Sequence, residues 1–267
     1  RLLWEEERNQ LEKSSVSAFL QTLRSRKGAK VSDLIAKPYP HEADVSLHVK
    51  MSVSELKERG QFTDDGESDF LPTLPDFMKE GEQVPENGAA GGVFRGTAYH
   101  RILELLSFRN VQTDTDLEQE MERIRGEQMI DEKAFSVISQ ETLKRFFRSE
   151  TAKRMIEADC CGKLHKESQF VMGIPAYEMD EADSGEPVLI QGIIDAWFEE
   201  EDGVVLVDYK TDRIQKGQEA VLLERYRLQM IYYARALLQI TGKRVKEAII
   251  YSLALQKEIP VPIQPQE

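Results

Sequence analysis

Asp195, Asp208 and Lys210 are the residues of this chain whose types and spacing could do chemistry. Asp195 lies in the run Val188 to Phe198, and Asp208 and Lys210 lie in Val204-Val-Leu-Val-Asp-Tyr-Lys-Thr-Asp212. Both stretches read as strands facing each other across the acidic turn Glu199 to Gly203, and each carries an aspartate where a purely structural strand would prefer an apolar residue. If they pair, the two carboxylates and the lysine converge at one end of a sheet. Asp208 and Lys210 are two apart and leave the same face of their strand, with Tyr209 on the other. Carboxylates held together repel and raise one pKa unless a cation intervenes. Oxygen ligands of this hardness suit Mg²⁺ or Mn²⁺, which makes the arrangement one for metal-dependent phosphodiester cleavage. On these residues alone, a cross-strand salt bridge in a solvated hairpin is the competing account.

The pattern acid-any-lysine is cheap in a chain with 48 acidic residues, and Glu55-Leu-Lys57 and Asp131-Glu-Lys133 match it as well. Those two sit in helix-like surroundings and read as ordinary surface charge. Two neighbouring segments supply further candidates. Gly96-Thr-Ala-Tyr-His-Arg-Ile-Leu-Glu-Leu-Leu106 reads as a helix entered through Gly96 and Thr97, with Ile102, Leu105 and Leu106 as its buried stripe and His100 and Glu104 one turn apart on a shared face. Glu219 to Ile240 reads as a long amphipathic helix closed by Gly242, with Tyr226, Met230, Tyr233 and Leu237 as its apolar stripe. Gln229 lies beside that stripe, so its amide is either hydrogen-bonded inside the fold or turned toward a ligand.

The elements that must position these residues follow from composition. Residues 1 to 27 read as a charged amphipathic helix, and residues 37 to 50 as irregular, with Pro38 and Pro40. Residues 1 to 50 together are expected to be a helical or linker segment joining a preceding region, and residues 51 to 267 one domain. Within it, acids and Pro72, Pro75 and Pro85 mark an acidic loop over 64 to 92 that includes the linker-like glycines at 88, 91 and 92. Leu117 to Glu157 reads as helical. Lys166 to Tyr177 reads as a strand leading into the hairpin, with Glu167 either near the site or merely at a strand edge. The length suffices to bury a real core, and the mixture of strands and helices predicts an α/β fold.

In their order, Gly96-Thr-x-x-His100, Gly192-x-x-Asp195, Asp208-Tyr-Lys210-Thr and Gln229-x-x-x-Tyr233 resemble the RecB-type branch of the PD-(D/E)XK nucleases, and within it the nuclease domains of AddA (RexA) helicase-nucleases. Met51 to Lys57 and Val245 to Leu255 also look like that family, so the resemblance covers roughly residues 50 to 255. It implies a restriction-endonuclease-like core with a mixed central sheet flanked by helices. It implies that His100, Asp195, Asp208 and the backbone carbonyl of Tyr209 are metal ligands. Lys210 would orient or deprotonate the attacking water, and Gln229 and Tyr233 would support the site and contact DNA. The implied activity is Mg²⁺-dependent cleavage of single strands delivered by helicase domains of the same polypeptide, beside an AddB-like partner, in double-strand break repair and homologous recombination. Mn²⁺ could outperform Mg²⁺ because His100 offers nitrogen, and Glu104 or Glu167 are candidates for holding a second ion.

One branch of that family carries an iron-sulfur cluster on four cysteines. This chain has Cys160 and Cys161 only, adjacent to each other, which cannot supply four thiolates. They are expected to be a packing pair at a helix end, and their scarcity suits a reducing, cytoplasmic setting. The sequence has no Gly-x-x-x-x-Gly-Lys-Ser/Thr run for an ATP motor and no apolar stretch long enough to span a membrane. The formal charge of −13 is unlike the basic face usual for DNA binding, and it predicts weak intrinsic affinity for DNA. Two other classes stay open on the sequence: a catalytically silent nuclease-like scaffold or strand guide, and an unrelated acidic interaction module.

Overall fold

The computed structural model describes residues 50–60, 89–179 and 185–263. Expectations for residues 1 to 27 and 37 to 49, and for most of the acidic loop, lie outside these residues. In chain order the described elements are β1 (Lys50–Ser52), α1 (Val53–Gly60), α2 (Ala89–Leu105), α3 (Asp114–Gly126), α4 (Glu132–Ser136), α5 (Gln140–Phe147), α6 (Glu150–Cys160), β2 (Leu164–Pro175), β3 (Pro187–Glu200), β4 (Gly203–Lys210), α7 (Glu219–Thr241), β5 (Val245–Ser252) and β6 (Lys257–Pro260). The strands make one mixed six-stranded sheet. Its order follows from a hairpin, β3–β4, and a crossover through α7 that returns β5 parallel to β4.

The sheet divides two apolar cores. On one side, helices α2 to α6 pack Ile102, Leu106, Phe108, Leu143 and Phe146 against Ala196, Phe198, Val207, Tyr209 and Tyr251. On the other, α1 and α7 pack Leu56, Leu222, Met230 and Leu237 against Ile190, Ile194, Leu206 and Ile250. Strand β4 is buried on both faces, which is why it reads as a nearly unbroken apolar run. The expected α/β architecture, the hairpin and the long helix are all present. Helix α7 ends where Gly242 takes a left-handed φ of 67° and returns its N–H to Leu238.

Several local expectations need correction. Gly96 and Thr97 do not open a helix: α2 starts at Ala89, which also moves residues 89–92 from the acidic loop into helix. The stretch Leu117 to Glu157 is not one helix but parts of four, because Thr113, Asp131, Ser139 and Ser149 each turn a side-chain oxygen onto the backbone N–H groups of a new helix start. Lys50 belongs to β1 rather than to irregular chain. The two stray acid-any-lysine matches are cap positions: Asp131 caps α4, and Glu55 accepts from Ser52 N at 2.6 Å while Ser52 Oγ accepts from Glu55 N at 3.1 Å. Cys160 and Cys161 do end α6, but both are exposed rather than packed.

The topology leaves one gap, and it positions the site. Strand β2 pairs with β3 along its length, from Leu164↔Phe198 to Pro175↔Pro187, so β1 and β4 must share the opposite edge of β3. Strand β1 pairs there with Leu189 to Gln191, and β4 with Ala196 to Glu200. Residues 192 to 195 lie between them, with no strand on that edge among the described residues. That edge of the β3 backbone is therefore left without a strand partner at the point where β4 splits from β3.

Candidate metal centre

Asp195 sits at the split. Its Oδ2 accepts the Tyr209 N–H at 2.8 Å, replacing the strand partner that β3 no longer provides. The neighbouring residues alternate out of phase there. Ile194 belongs to the α7-side core and Ala196 to the α2-side core, although residues two apart on a regular strand share a face. On β2 the pairs Lys166↔Ala196 and Ser168↔Ile194 bracket Glu167, which takes a left-handed φ of 45° directly across from Asp195. Matching irregularities on two adjacent strands thus set two carboxylates side by side. A left-handed backbone costs a residue with a Cβ roughly 1–3 kcal/mol, so it persists only where the surroundings impose it.

His100 comes to the same point from α2. Its Nδ1 lies 3.2 Å from Asp195 Oδ1 and 4.0 Å from Glu167 Oε1. Ligand atoms of His100, Glu167 and Asp195 all fall within 4.8 Å of one another. Helix α2 is held near its middle and at its C-terminal end. Gly96 packs so closely on the loop after β4 that a Cβ there would meet Thr211 Oγ1 at 3.2 Å, so the glycine serves close approach rather than a helix start. Further along, Lys166 Nζ reaches the carbonyls of Glu104 and Leu106, the latter at 2.6 Å, and stitches the helix C-terminus to β2 one residue before Glu167.

Asp208 and Lys210 form the second half of the site. Asp208 is fully buried, with Oδ1 accepting from Gln229 Nε2 at 3.1 Å and Oδ2 lying 2.7 Å from Lys210 Nζ. That Oδ2 lacks a hydrogen bond of good geometry despite the short ion pair. As expected, Tyr209 leaves the opposite face, its ring edge-on to Phe146 in the α2-side core. The Tyr209 N–H points at Asp195, while the next carbonyl, of Lys210, accepts from the N–H of Leu253, one residue past β5. Since N–H and C=O of one strand residue leave the same edge, the Tyr209 carbonyl lies on the site's side.

Helix α7 closes the site from behind. Gln229 is hydrogen-bonded within the fold, donating to Asp208 and, at 2.9 Å, to Tyr233 Oη. Tyr233 stacks edge-on with Phe170, and both rings press on Gly192, where a Cβ would come within 2.8 Å of Phe170 and 3.2 Å of Tyr233. Two turns before Tyr233 the Tyr226 ring covers Lys210 Nζ at 4.4 Å from its centroid. Glu104, by contrast, faces Arg101 at 2.6 Å and is no part of the cluster.

The electrostatics are those of a cation site held by its own substitutes. Burial, and then the Asp195 charge, push Glu167 up to about 7. Burial together with Asp195 raises Asp208 to about 6 in spite of Lys210. Asp195 stays below the usual carboxylate range although burial opposes its charge, because His100, Lys210 and the Tyr209 N–H stabilise the anion. His100 is raised: burial works against its charge, but the Asp195 carboxylate outweighs it. Burial also works against Lys210, which Asp208 and Asp195 hold firmly protonated. A divalent ion fits this set. Bonds of about 2.0–2.2 Å place ligands on one ion up to about 4.4 Å apart, close to the spread found here.

Sequence reasoning thus named His100, Asp195, Asp208, Lys210, Gln229 and Tyr233, and the structure brings all six to one place. Of the expected ligands, His100 and Asp195 meet closely enough to share an ion, and Glu167 joins them, while Asp208 pairs with Lys210 and Gln229. Glu167 and the ring of Tyr226 were the residues without a decisive signal. From the sequence Glu167 is equally a site residue, a candidate for a second ion, or a strand-edge charge, and Tyr226 is one member of an apolar stripe.

The comparisons with known proteins agree with this geometry. Residues 77–264 match the PD-(D/E)XK nuclease superfamily. The A subunits of ATP-dependent helicase/nucleases are similar over most of the chain: that of Lachnoclostridium phytofermentans is 36% identical, covering 86% of this chain and 22% of its own. The one from Alkaliphilus metalliredigens is 35% identical, covering 80% and 18%, and the one from Acetivibrio thermocellus 33%, covering 80% and 17%. The chain therefore spans about a fifth of the length of these relatives. The superfamily match spans well over half of the chain, and the chain belongs to the PD-(D/E)XK nucleases.

Proposed function

We propose that this chain is the nuclease module of an AddA-type helicase-nuclease, cutting DNA single strands with Mg²⁺, or with Mn²⁺, during double-strand break repair and homologous recombination. The observation that carries the reading is the convergence of His100, Glu167 and Asp195 beside the buried Asp208–Lys210 pair. The relatives' name supports the wider setting: helicase domains in the same polypeptide, and an AddB-like partner. Among the described residues no helix is long and apolar enough to cross a membrane.

His100, Asp195 and Glu167 would hold the ion, with Asp208 and the Tyr209 carbonyl as the remaining oxygens at the site's edge. A bound divalent cation would neutralise charge building on the phosphate and acidify a water for attack. Lys210 supplies a fixed ammonium for the same charge, held in place by Asp208 and unable to lose its proton at neutral pH. Gln229 fixes the Asp208 carboxylate through Oδ1 and leaves Oδ2 to face Lys210 and the site. Tyr233 keeps Gln229 in that orientation and, through its ring, seats Phe170 on Gly192. The net charge of −13 makes delivery by neighbouring motor domains, rather than affinity of this module alone, the route by which a strand reaches the site.

The experiment is cleavage of linear single-stranded DNA by the purified chain with Mg²⁺, with Mn²⁺ and with chelator, beside Asp208→Ala. Metal-dependent cutting that disappears in the variant is the expected result. Cutting that survives either chelation or the substitution would sink the reading.

A further inference from the structure

Lys210 has two neighbours on the chain's own side: the Asp208 carboxylate at 2.7 Å and the face of the Tyr226 ring at 4.4 Å. Tyr226 is in turn anchored. Its hydroxyl donates to Asp212, with Oδ1 at 2.9 Å and Oδ2 at 3.0 Å, and the adjacent Arg225 Nη1 contacts the same Oδ1 at 2.7 Å. Asp212 is two residues past Lys210, in the loop that joins β4 to α7, whereas Arg225 and Tyr226 lie two turns into α7. The contacts therefore close a ring from Lys210 through the loop to Asp212, across to Tyr226, and back onto the lysine ammonium.

We infer that Asp212 and Tyr226 are a positioning pair for Lys210, fixing its ammonium at the reacting end of the site. The physics runs through the ring. A phenol that donates to a carboxylate is polarised toward the phenolate, which enriches the negative face of its ring and strengthens attraction to a cation above it. A lysine has four rotatable side-chain bonds and would otherwise sample several positions, so an ion pair on one side and a ring on the other remove the freedom that would slow a charge-stabilising step. Arg225 keeps Asp212 from turning to Lys210 itself, which would pull the ammonium out of the site. In a purely structural account Tyr226 is one member of the α7 stripe, and its hydroxyl merely finds a partner at the core's rim.

This inference rests on the nuclease reading for Lys210's role, so its test has an arm independent of activity. Single-turnover cleavage with Mn²⁺ would compare Tyr226→Phe, Tyr226→Leu and Asp212→Asn, and Tyr226→Leu again in a Lys210→Ala background. Removing the ring should lower the rate about tenfold, and removing only the hydroxyl or the Asp212 charge two- to threefold, with Mn²⁺ affinity and KM within about twofold of the parent. In the Lys210→Ala background, Tyr226→Leu should cost nothing more. An equal loss in both backgrounds, or no loss in either, would overturn the pairing. Should the parent chain prove inactive, or Lys210→Ala be as active as the parent, the nuclease reading fails instead. The ¹⁵Nζ resonance of Lys210 then decides the pairing alone: slow proton exchange lost in Tyr226→Leu supports it, and identical exchange in both proteins overturns it.

Discussion

Glu167 lies directly across from Asp195, between the paired positions Lys166↔Ala196 and Ser168↔Ile194, in a left-handed backbone conformation that turns its carboxylate toward His100. Two acids in that relation repel, and the protein tolerates both the repulsion and the strain. Such a cost at one spot is what a binding site imposes on a fold.

Glu167→Gln should therefore separate stability from function. Losing one of the three converging ligand atoms should weaken Mn²⁺ binding by tenfold or more, while thermal stability of the metal-free protein holds or rises because the like charge is gone. Calorimetric titration and a melting curve on the same sample measure both. Unchanged Mn²⁺ affinity would mean that Glu167 holds no ion.

The sign of the pH dependence is fixed by the same groups. Glu167, at about 7, and Asp208, at about 6, bind protons more tightly folded than unfolded, so the metal-free fold gains stability as pH falls through those values toward the ordinary carboxylate range. His100, also raised, contributes stability that is present below about 6.5 and is lost as pH rises through its folded value. The stability that Asp195 gains from its depressed value is retained throughout this range and is lost only in stronger acid. The melting temperature of the metal-free chain should thus rise between pH 8 and pH 6. A divalent ion competes with those protons, so its affinity should fall over the same interval and its binding should release protons, seen as a buffer-dependent heat.

Gly192→Ala tests the packing behind the site. A methyl at Gly192 would press into Phe170 and Tyr233, and overpacking of this kind costs about 1–3 kcal/mol. Because Tyr233 holds Gln229 against Asp208, cleavage should drop further than the loss of folded protein explains. Denaturant unfolding beside the specific activity of the folded fraction measures the two effects.

Lys166→Met should leave the site residues untouched and still weaken it. The half-buried ammonium contacts the carbonyls at the end of α2, where it also lies over the Phe108 ring, and removing it strands acceptors worth about 1–3 kcal/mol. Since His100 rides on α2, Mn²⁺ affinity should fall with stability. Hydrogen exchange should locate the loosening at residues 100 to 106, and exchange unchanged there would show that the helix is held by packing alone.

By itself the sequence determined the hairpin, the long helix and most of the residues that gather where β3 and β4 part. The reason is local: an aspartate in an otherwise apolar strand, a lysine two residues on, and a glutamine beside a burying stripe each break a periodicity that a core would keep. Tertiary structure decided what periodicity does not encode. Gly96 proved to be a point of close approach to Thr211 rather than a helix start, which only the packing of α2 on the β4–α7 loop could reveal. Glu167 came beside His100 and Asp195 because β2 and β3 lose their alternation at the same register position, an event involving residues 28 apart in sequence. Tyr226 came to cover Lys210 because the crossover from β4 through α7 folds the helix back over the strand end. Side-chain type declares which residues can do chemistry, but which of them share an ion depends on ångström distances across strands, and those are set by pairing and packing over the whole sheet.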